Sequence, residues 1–191
     1  MNGMSDREEF DDIVYQSINS CARTMARYPK ENSTLGEDQL SVMLLAKLEG
    51  LGLNALHDAT SGGHCDIFIK EGEEMLWLGE AKMVTGQQNA HIEDGYLQLL
   101  SRYATALPNQ DKGGLIVFCK CPRIDTVLEG WIEYIHKKRS DLQAGKHDTD
   151  AIEYFSSEKH VKNGRMYQVW HKPISIYWNP EEREVTSRKL D

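Results

Sequence analysis

Asp66, Glu80 and Lys82 are the residues of this chain whose types and spacing could do chemistry. Two carboxylates and a lysine gathered at one point would hold a divalent cation through oxygen ligands, with an ammonium beside it. A cation held in this way polarises a phosphoryl oxygen, lowers the pKa of an attacking water and balances charge as it develops. That is the outline of a phosphodiester hydrolase. On this reading Asp66 and Glu80 hold Mg²⁺ (or Mn²⁺), and Lys82 orients or deprotonates the water or stabilises the pentacovalent phosphate.

The elements that must position these residues are two adjacent strands. In Leu76-Trp77-Leu78-Gly79-Glu80-Ala81-Lys82, residues two apart share a face, so Glu80 and Lys82 point the same way. Cys65 to Lys70 is a second β-rich run, and the polar Glu71-Gly72-Glu73-Glu74 between the runs predicts a hairpin. Register sets the condition. If Lys70 faces Leu76, Asp66 faces Glu80; if Lys70 faces Met75, the two acids fall on opposite faces unless a bulge corrects them. The bland alternative is an amphipathic hairpin with a solvated acid and a solvated lysine. Against it, Leu76, Trp77, Leu78, Gly79 and Ala81 make the second strand apolar on both faces, so Glu80 stands where valine would be expected.

Asp66 followed by Glu80-Ala81-Lys82 resembles the acidic and Glu-x-Lys elements of the PD-(D/E)XK, or restriction-endonuclease-like, nuclease superfamily. The resemblance implies an α/β fold with an α-β-β-β-α-β core, its central mixed sheet flanked by helices. Here an N-terminal helix and a C-terminal helix plus β-hairpin would extend it. Ser33 to Leu40 predicts the opening of the first core helix, with Leu40, Met43, Leu44, Leu45 and Leu48 at helical spacing. The family's helix glutamate corresponds to Glu37, a third metal ligand on this reading, although acids in a first helical turn are also favoured by the helix dipole. Ile92 to Leu107 predicts the second core helix, and Gly113 to Cys119 a buried strand. Some relatives carry Gln-x-x-x-Tyr on the second helix. In this chain Gln98 and Tyr103 stand one residue further apart, and Gln98 with Arg102 makes the better i, i+4 pair. Gln98 is therefore carried as a site residue, and Arg102 and Tyr103 as nucleic-acid contacts. Cys65 replaces the proline that names the family. The resemblance covers about residues 33 to 120, and its motifs are short, so the order of elements carries much of its weight.

With 191 residues, 40% hydrophobic and 27% charged, the chain is expected to form one domain around a single core. Phe10, Ile13, Val14, Ser17, Ile18 and Cys21 predict an N-terminal helix over about 6–28. Val127, Leu128, Trp131, Ile132 and Ile135 predict a helix over Ile124 to Lys138, and Ser140 to Asp150 reads as a polar connection. Ala151 to Ser156, Met166 to Trp170 and Ile174 to Trp178 predict strands, the last two joined through His171-Lys172-Pro173. This C-terminal part spans about 124–178. Cysteines 21, 65, 119 and 121 lack zinc spacing and read as free thiols. No apolar run is long enough for a membrane span and no signal-peptide pattern opens the chain, so a cytoplasmic protein is expected.

The net charge of −8 weighs against a nuclease, because phosphate contacts ordinarily dominate nucleic-acid affinity. Local basic residues such as Lys120, Arg123 and the run Lys137 to Arg139 could offset it, as could a homodimer or a partner subunit. The reading is therefore a Mg²⁺-dependent nuclease acting on DNA in preference to RNA. It resembles the nuclease components of bacterial antiviral defence and restriction systems. The alternative is a catalytically inactive binding or assembly subunit on the same fold. A third reading is an unrelated α/β protein whose hairpin acids are surface residues.

Overall fold

Phe10, Val14, Ile18, Cys21 and Met25 recur at helical spacing, and in the computed structural model they are buried along one stripe of α1 (Asp6–Ala26). The structure describes residues 6–57, 59–60, 64–146 and 152–180. After the short α2 (Pro29–Asn32), α3 (Glu37–Gly50) buries Leu40, Leu44, Leu45 and Leu48. The helix opens at Glu37 rather than Ser33, with Gly36 at the N-cap and its N–H bonded to the Gln39 side chain at 2.8 Å. Glu37 is thus the first helical residue.

The strands that follow are β1 (Ala55–Leu56), β2 (Ala59–Thr60), β3 (His64–Cys65), β4 (Ile67–Glu71) and β5 (Met75–Val84). Next come α4 (Asn89–Gln98), a π-helical turn over Leu99–Tyr103, β6 (Lys112–Cys119) and α5 (Ile124–Lys138). The chain ends its described part with β7 (Gln143–Lys146), β8 (Tyr154–Lys159) and β9 (Met166–Ser175). Among the described residues β2 and β3 pair with each other, and the rest form a seven-stranded sheet in the order β1-β4-β5-β6-β9-β8-β7. β5, β6 and β9 run parallel, and the pairs at either side are antiparallel. The result is a mixed α/β fold with helices on both faces of a central sheet.

Alternation along β5 divides its side chains between two cores. Trp77 and Ala81 join Ile67, Ile69, Ile116 and Phe118 under α1 and α3. Leu76, Leu78 and Val84 join Leu115, Val117 and Val169 under α4 and α5. Gly79 and Gly114 give Trp77 its room: a Cβ at either would stand 2.8 or 2.5 Å from the indole. Glu80 and Lys82 belong to the face covered by α4.

The hairpin register is the one the paired acids require, with Lys70 opposite Leu76 and Ile67 opposite Gly79. Three expectations are corrected. Met166 to Ser175 is one strand, not two joined at Pro173. Gln168 N–H and Ile176 N–H both bond toward β6, so alternation turns the Pro173 nitrogen to the opposite side, where β8 has already ended at Tyr154 opposite His171. A proline there removes no ladder bond. Gln143–Lys146, read as part of a polar connection, is a sheet strand paired with β8, anchored by the buried Leu142 beside it. The second core helix changes to π-helical geometry after Gln98 and ends at Tyr103.

Candidate functional site

β4 stops at Ile67 while β5 runs on to Val84, so the far half of β5 has lost its neighbour on that side. The Lys120 N–H bonds to the Val84 carbonyl, which places the even-numbered backbone groups of this strand toward β6 and the odd-numbered ones toward the vacated side. Ala81 and Met83 N–H would be left open there. Two carboxylates take the place of the missing strand: Asp66 Oδ2 accepts from Ala81 N–H at 2.9 Å, and Glu37 Oε2 from Met83 N–H at 2.6 Å. Glu37 reaches the strand because the N-terminus of α3 lies against it. Its same oxygen is 3.4 Å from His91 Nε2 on α4.

Glu80 and Lys82 sit on the adjoining face. Glu80 is 3% exposed, and its Oε1 accepts from Lys82 Nζ at 2.8 Å. The same ammonium is 3.4 Å from Glu37 Oε1. The structure therefore brings Glu37, Asp66, Glu80 and Lys82 together, as the sequence reading required. Three acids around one ammonium leave negative charge in excess. Burial, then repulsion from Asp66, push the Glu80 carboxyl up to about 7 against the pull of Lys82. Burial likewise raises Asp66, opposed by the Ala81 N–H. Burial would lower Lys82, but its bond to Glu80 and the charges of Glu80, Glu37 and Asp66 overcome this and hold the ammonium above its ordinary value. These contacts make the lysine the cation of the cluster.

These contacts correct the metal assignment. Among the described residues no group of three or more His, Cys, Asp or Glu side chains is placed to hold a metal ion. Asp66 and Glu37 each spend an oxygen on a β5 backbone donor, Glu80 Oε1 is on the ammonium, and Lys82 supplies the positive charge that the acids need. The donor set does not fit Mg²⁺ or Mn²⁺, because the Lys82 ammonium stands between Glu80 and Glu37, where a cation would need carboxylate oxygens at about 2.0–2.1 Å. The reading of Asp66, Glu80 and Glu37 as metal ligands, and with it the Mg²⁺-dependent DNA nuclease, is overturned.

The π-turn explains the awkward spacing of Gln98 and Tyr103. Ala104 N–H bonds to the Leu99 carbonyl, an i→i+5 closure, and a turn of that pitch brings residues five apart onto one side. Tyr103 is 3% exposed, and burial followed by the Glu80 charge raises its pKa. Its hydroxyl feels the acid cluster through Glu80. Arg102 stays at the surface. Gln98 Oε1 and Glu80 Oε2 are buried with no hydrogen-bond partner among the described residues. Sequence reasoning missed Gly95. A Cβ there would stand 2.7 Å from Lys82 Cγ and 2.9 Å from Cε, so this glycine is what lets α4 close over the lysine stem. The signal was a glycine inside an apolar helical pattern.

A second buried polar group lies beneath α5. His171 Nδ1 accepts from Trp131 Nε1 at 3.1 Å, which leaves the imidazole proton on Nε2 to be donated to Ser156 Oγ at 2.7 Å. A serine that accepts from its histidine is not activated by it. Burial also drives His171 down to about 3, so it stays neutral. The four cysteines are free, as expected, and buried; Cys65 donates toward the Ile67 and Gly79 carbonyls, both at 3.2 Å. No helix of the described residues is long and apolar enough to cross a membrane. Comparison with protein-family models, with curated proteins and with solved structures finds no match to this chain.

Proposed function

We propose that this chain is a binding or assembly subunit, built on a restriction-endonuclease-like α-β-β-β-α-β arrangement whose acid and lysine cluster serves structure in place of cleavage. The order α3, β1, β4, β5, α4, β6 supports the likeness, with two antiparallel steps followed by a parallel one. One observation carries the functional reading: Asp66 and Glu37 bond the Ala81 and Met83 N–H groups where a neighbouring strand is missing. Their role is to complete a sheet edge, and Lys82 neutralises part of the charge that this places inside the protein. The partner is another protein, in a hetero-complex or a homodimer. A net charge of −8 disfavours phosphate contacts, which would fall to other subunits of such a complex.

The test is a plasmid and oligonucleotide assay with Mg²⁺ or Mn²⁺, run beside calorimetric titration of each ion. No cleavage and no saturable heat are expected. Cutting by the wild type that disappears in Lys82→Ala would overturn the proposal.

A further inference from the structure

Ile13 belongs to the apolar stripe that predicts α1, yet the fold leaves it 49% exposed. Leu51, just beyond α3, is 55% exposed. Both line a cleft of about 360 Å³ bounded by α1, the 51–54 loop and the turn end of the β4-β5 hairpin. Phe10, Leu53 and Met75 line its floor. That volume lies in the ~300–1,000 Å³ range of clefts that hold ligands.

Charge identifies the occupant. Asp6, Glu9 and Glu71 line this cleft, and the neighbouring depression shares Asp6 and Glu71 and adds Glu73 and Glu74. All five acids are exposed. Of the two basic residues here, Arg7 is committed elsewhere: its guanidinium bonds the Leu76 carbonyl at 3.0 Å and the Asn109 carbonyl, and pairs with Asp11 at 3.1 Å. Lys70 remains. The rim is therefore strongly negative around an apolar floor. Such a surface is complementary to a segment that buries aliphatic side chains and surrounds them with Lys or Arg. A second copy of this chain would bring the same acids against themselves.

We infer that this cleft docks a basic segment of a partner protein, anchored by aliphatic side chains placed between Ile13 and Leu51. The inference rests on the assembly reading and gives it a surface. Two large exposed apolar side chains on one cleft set it apart from singly scattered apolar residues.

The probe is a fluorescein-labelled synthetic peptide with Leu and Lys at helical spacing, compared with an analogue carrying Glu for every Lys. Wild-type protein should raise the anisotropy of the Lys peptide, less strongly as salt is added, and should ignore the Glu analogue. Ile13→Asp and Leu51→Asp, both at exposed positions, should weaken binding about tenfold or more, a loss of about 1.4 kcal/mol. Glu9→Lys/Glu71→Lys should weaken it likewise, and hydrogen exchange should show protection over 6–13 and 51–54. Equal binding by all variants, no binding by wild type, or self-association that Ile13→Asp abolishes would overturn the inference. None of these outcomes touches the assembly reading, which fails separately on Lys82-dependent cleavage.

Discussion

Lys82 turns back along its own strand to place Nζ 2.8 Å from Glu80 Oε1, so the two residues that share a face of β5 form a buried ion pair. The pair is set in an excess of negative charge, because Glu37 and Asp66 stand close by. Its members are therefore unequal. Loss of the lysine leaves three acids facing one another, whereas loss of Glu80 relieves repulsion as well as breaking a bond.

Lys82→Met should destabilise the protein by about 3 kcal/mol, the scale for removing one partner of a buried ion pair. Glu80→Gln alone should cost less, and the double variant should recover most of the loss. Urea denaturation of the four proteins completes the cycle, with a coupling of about 1 kcal/mol or more expected. Additive effects would show that the ammonium does not stabilise Glu80.

Glu80 makes stability depend on pH in a direction opposite to that of an ordinary surface ion pair. Its folded-state value of about 7 lies above the ordinary 4.5, so between these values the folded protein binds more protons than the unfolded chain. Stability from this group is full below about pH 4.5 and is lost as pH rises through about 7. Asp66, also raised, acts with the same sign from its ordinary 3.8 upward. Lys82, held above its ordinary 10.5, contributes below that value and loses its contribution only at higher pH, so it does not tilt this window. The difference in stability between wild type and Glu80→Gln should therefore move in favour of wild type by up to about 3 kcal/mol on going from pH 7.5 to pH 4.5. A constant difference across that range would sink the assignment.

Strand periodicity and the polar turn made the hairpin legible in the sequence, but not its register: Lys70 opposite Leu76 and Lys70 opposite Met75 were both open, and the pairing decides for Leu76. The stripes of α1, α3 and α5 were legible for the same reason, since apolar spacing reports the buried face, with Ile13 as the exposed exception on α1. What periodicity does not encode is where a neighbouring strand stops. The end of β4 at Ile67 decides that Asp66 and Glu37 serve Ala81 and Met83, and no local pattern announces it. Glu37, Asp66, Glu80 and Lys82 lie close to one another, but around backbone donors and an ammonium that residue types alone do not reveal. Pro173 misled in a related way: a proline reads as a strand breaker until the sheet shows that its nitrogen faces a side β8 has left. β7 escaped notice because Gln143-Ala144-Gly145-Lys146 has little strand preference and is held by pairing with β8.

Replacing Asp66 separates an edge-completing acid from a catalytic one. Asp66→Ala leaves the Ala81 N–H without its acceptor, which should cost about 1–3 kcal/mol and speed exchange of the Ala81 amide. Asp66→Asn keeps a carbonyl oxygen in reach and drops a charge from a crowded cluster, so its stability should match or exceed that of wild type. Exchange measured by NMR on the three proteins checks this. If Asp66→Asn exchanges as fast as Asp66→Ala, the bond is not what holds that amide.

Gly95 gives a test in which one substitution changes sign with its background. Alanine in a helix interior is ordinarily favoured over glycine by about 1 kcal/mol. At Gly95, however, the added Cβ would meet Lys82 Cγ at 2.7 Å, Lys82 Cε at 2.9 Å and Glu80 Cγ at 3.3 Å. Only Lys82 stands inside the distance at which something must shift. The lysine stem is held by its bond to Glu80 and cannot swing aside without breaking the pair. Overpacking of this kind costs about 1–3 kcal/mol, so Gly95→Ala should be net destabilising in the wild type. In a Lys82→Ala background the clash disappears and the helix preference remains, so the same change should become neutral or stabilising. Thermal or urea denaturation of the two pairs gives the result, and a Gly95→Ala effect of the same sign in both backgrounds would show that α4 does not close on the lysine.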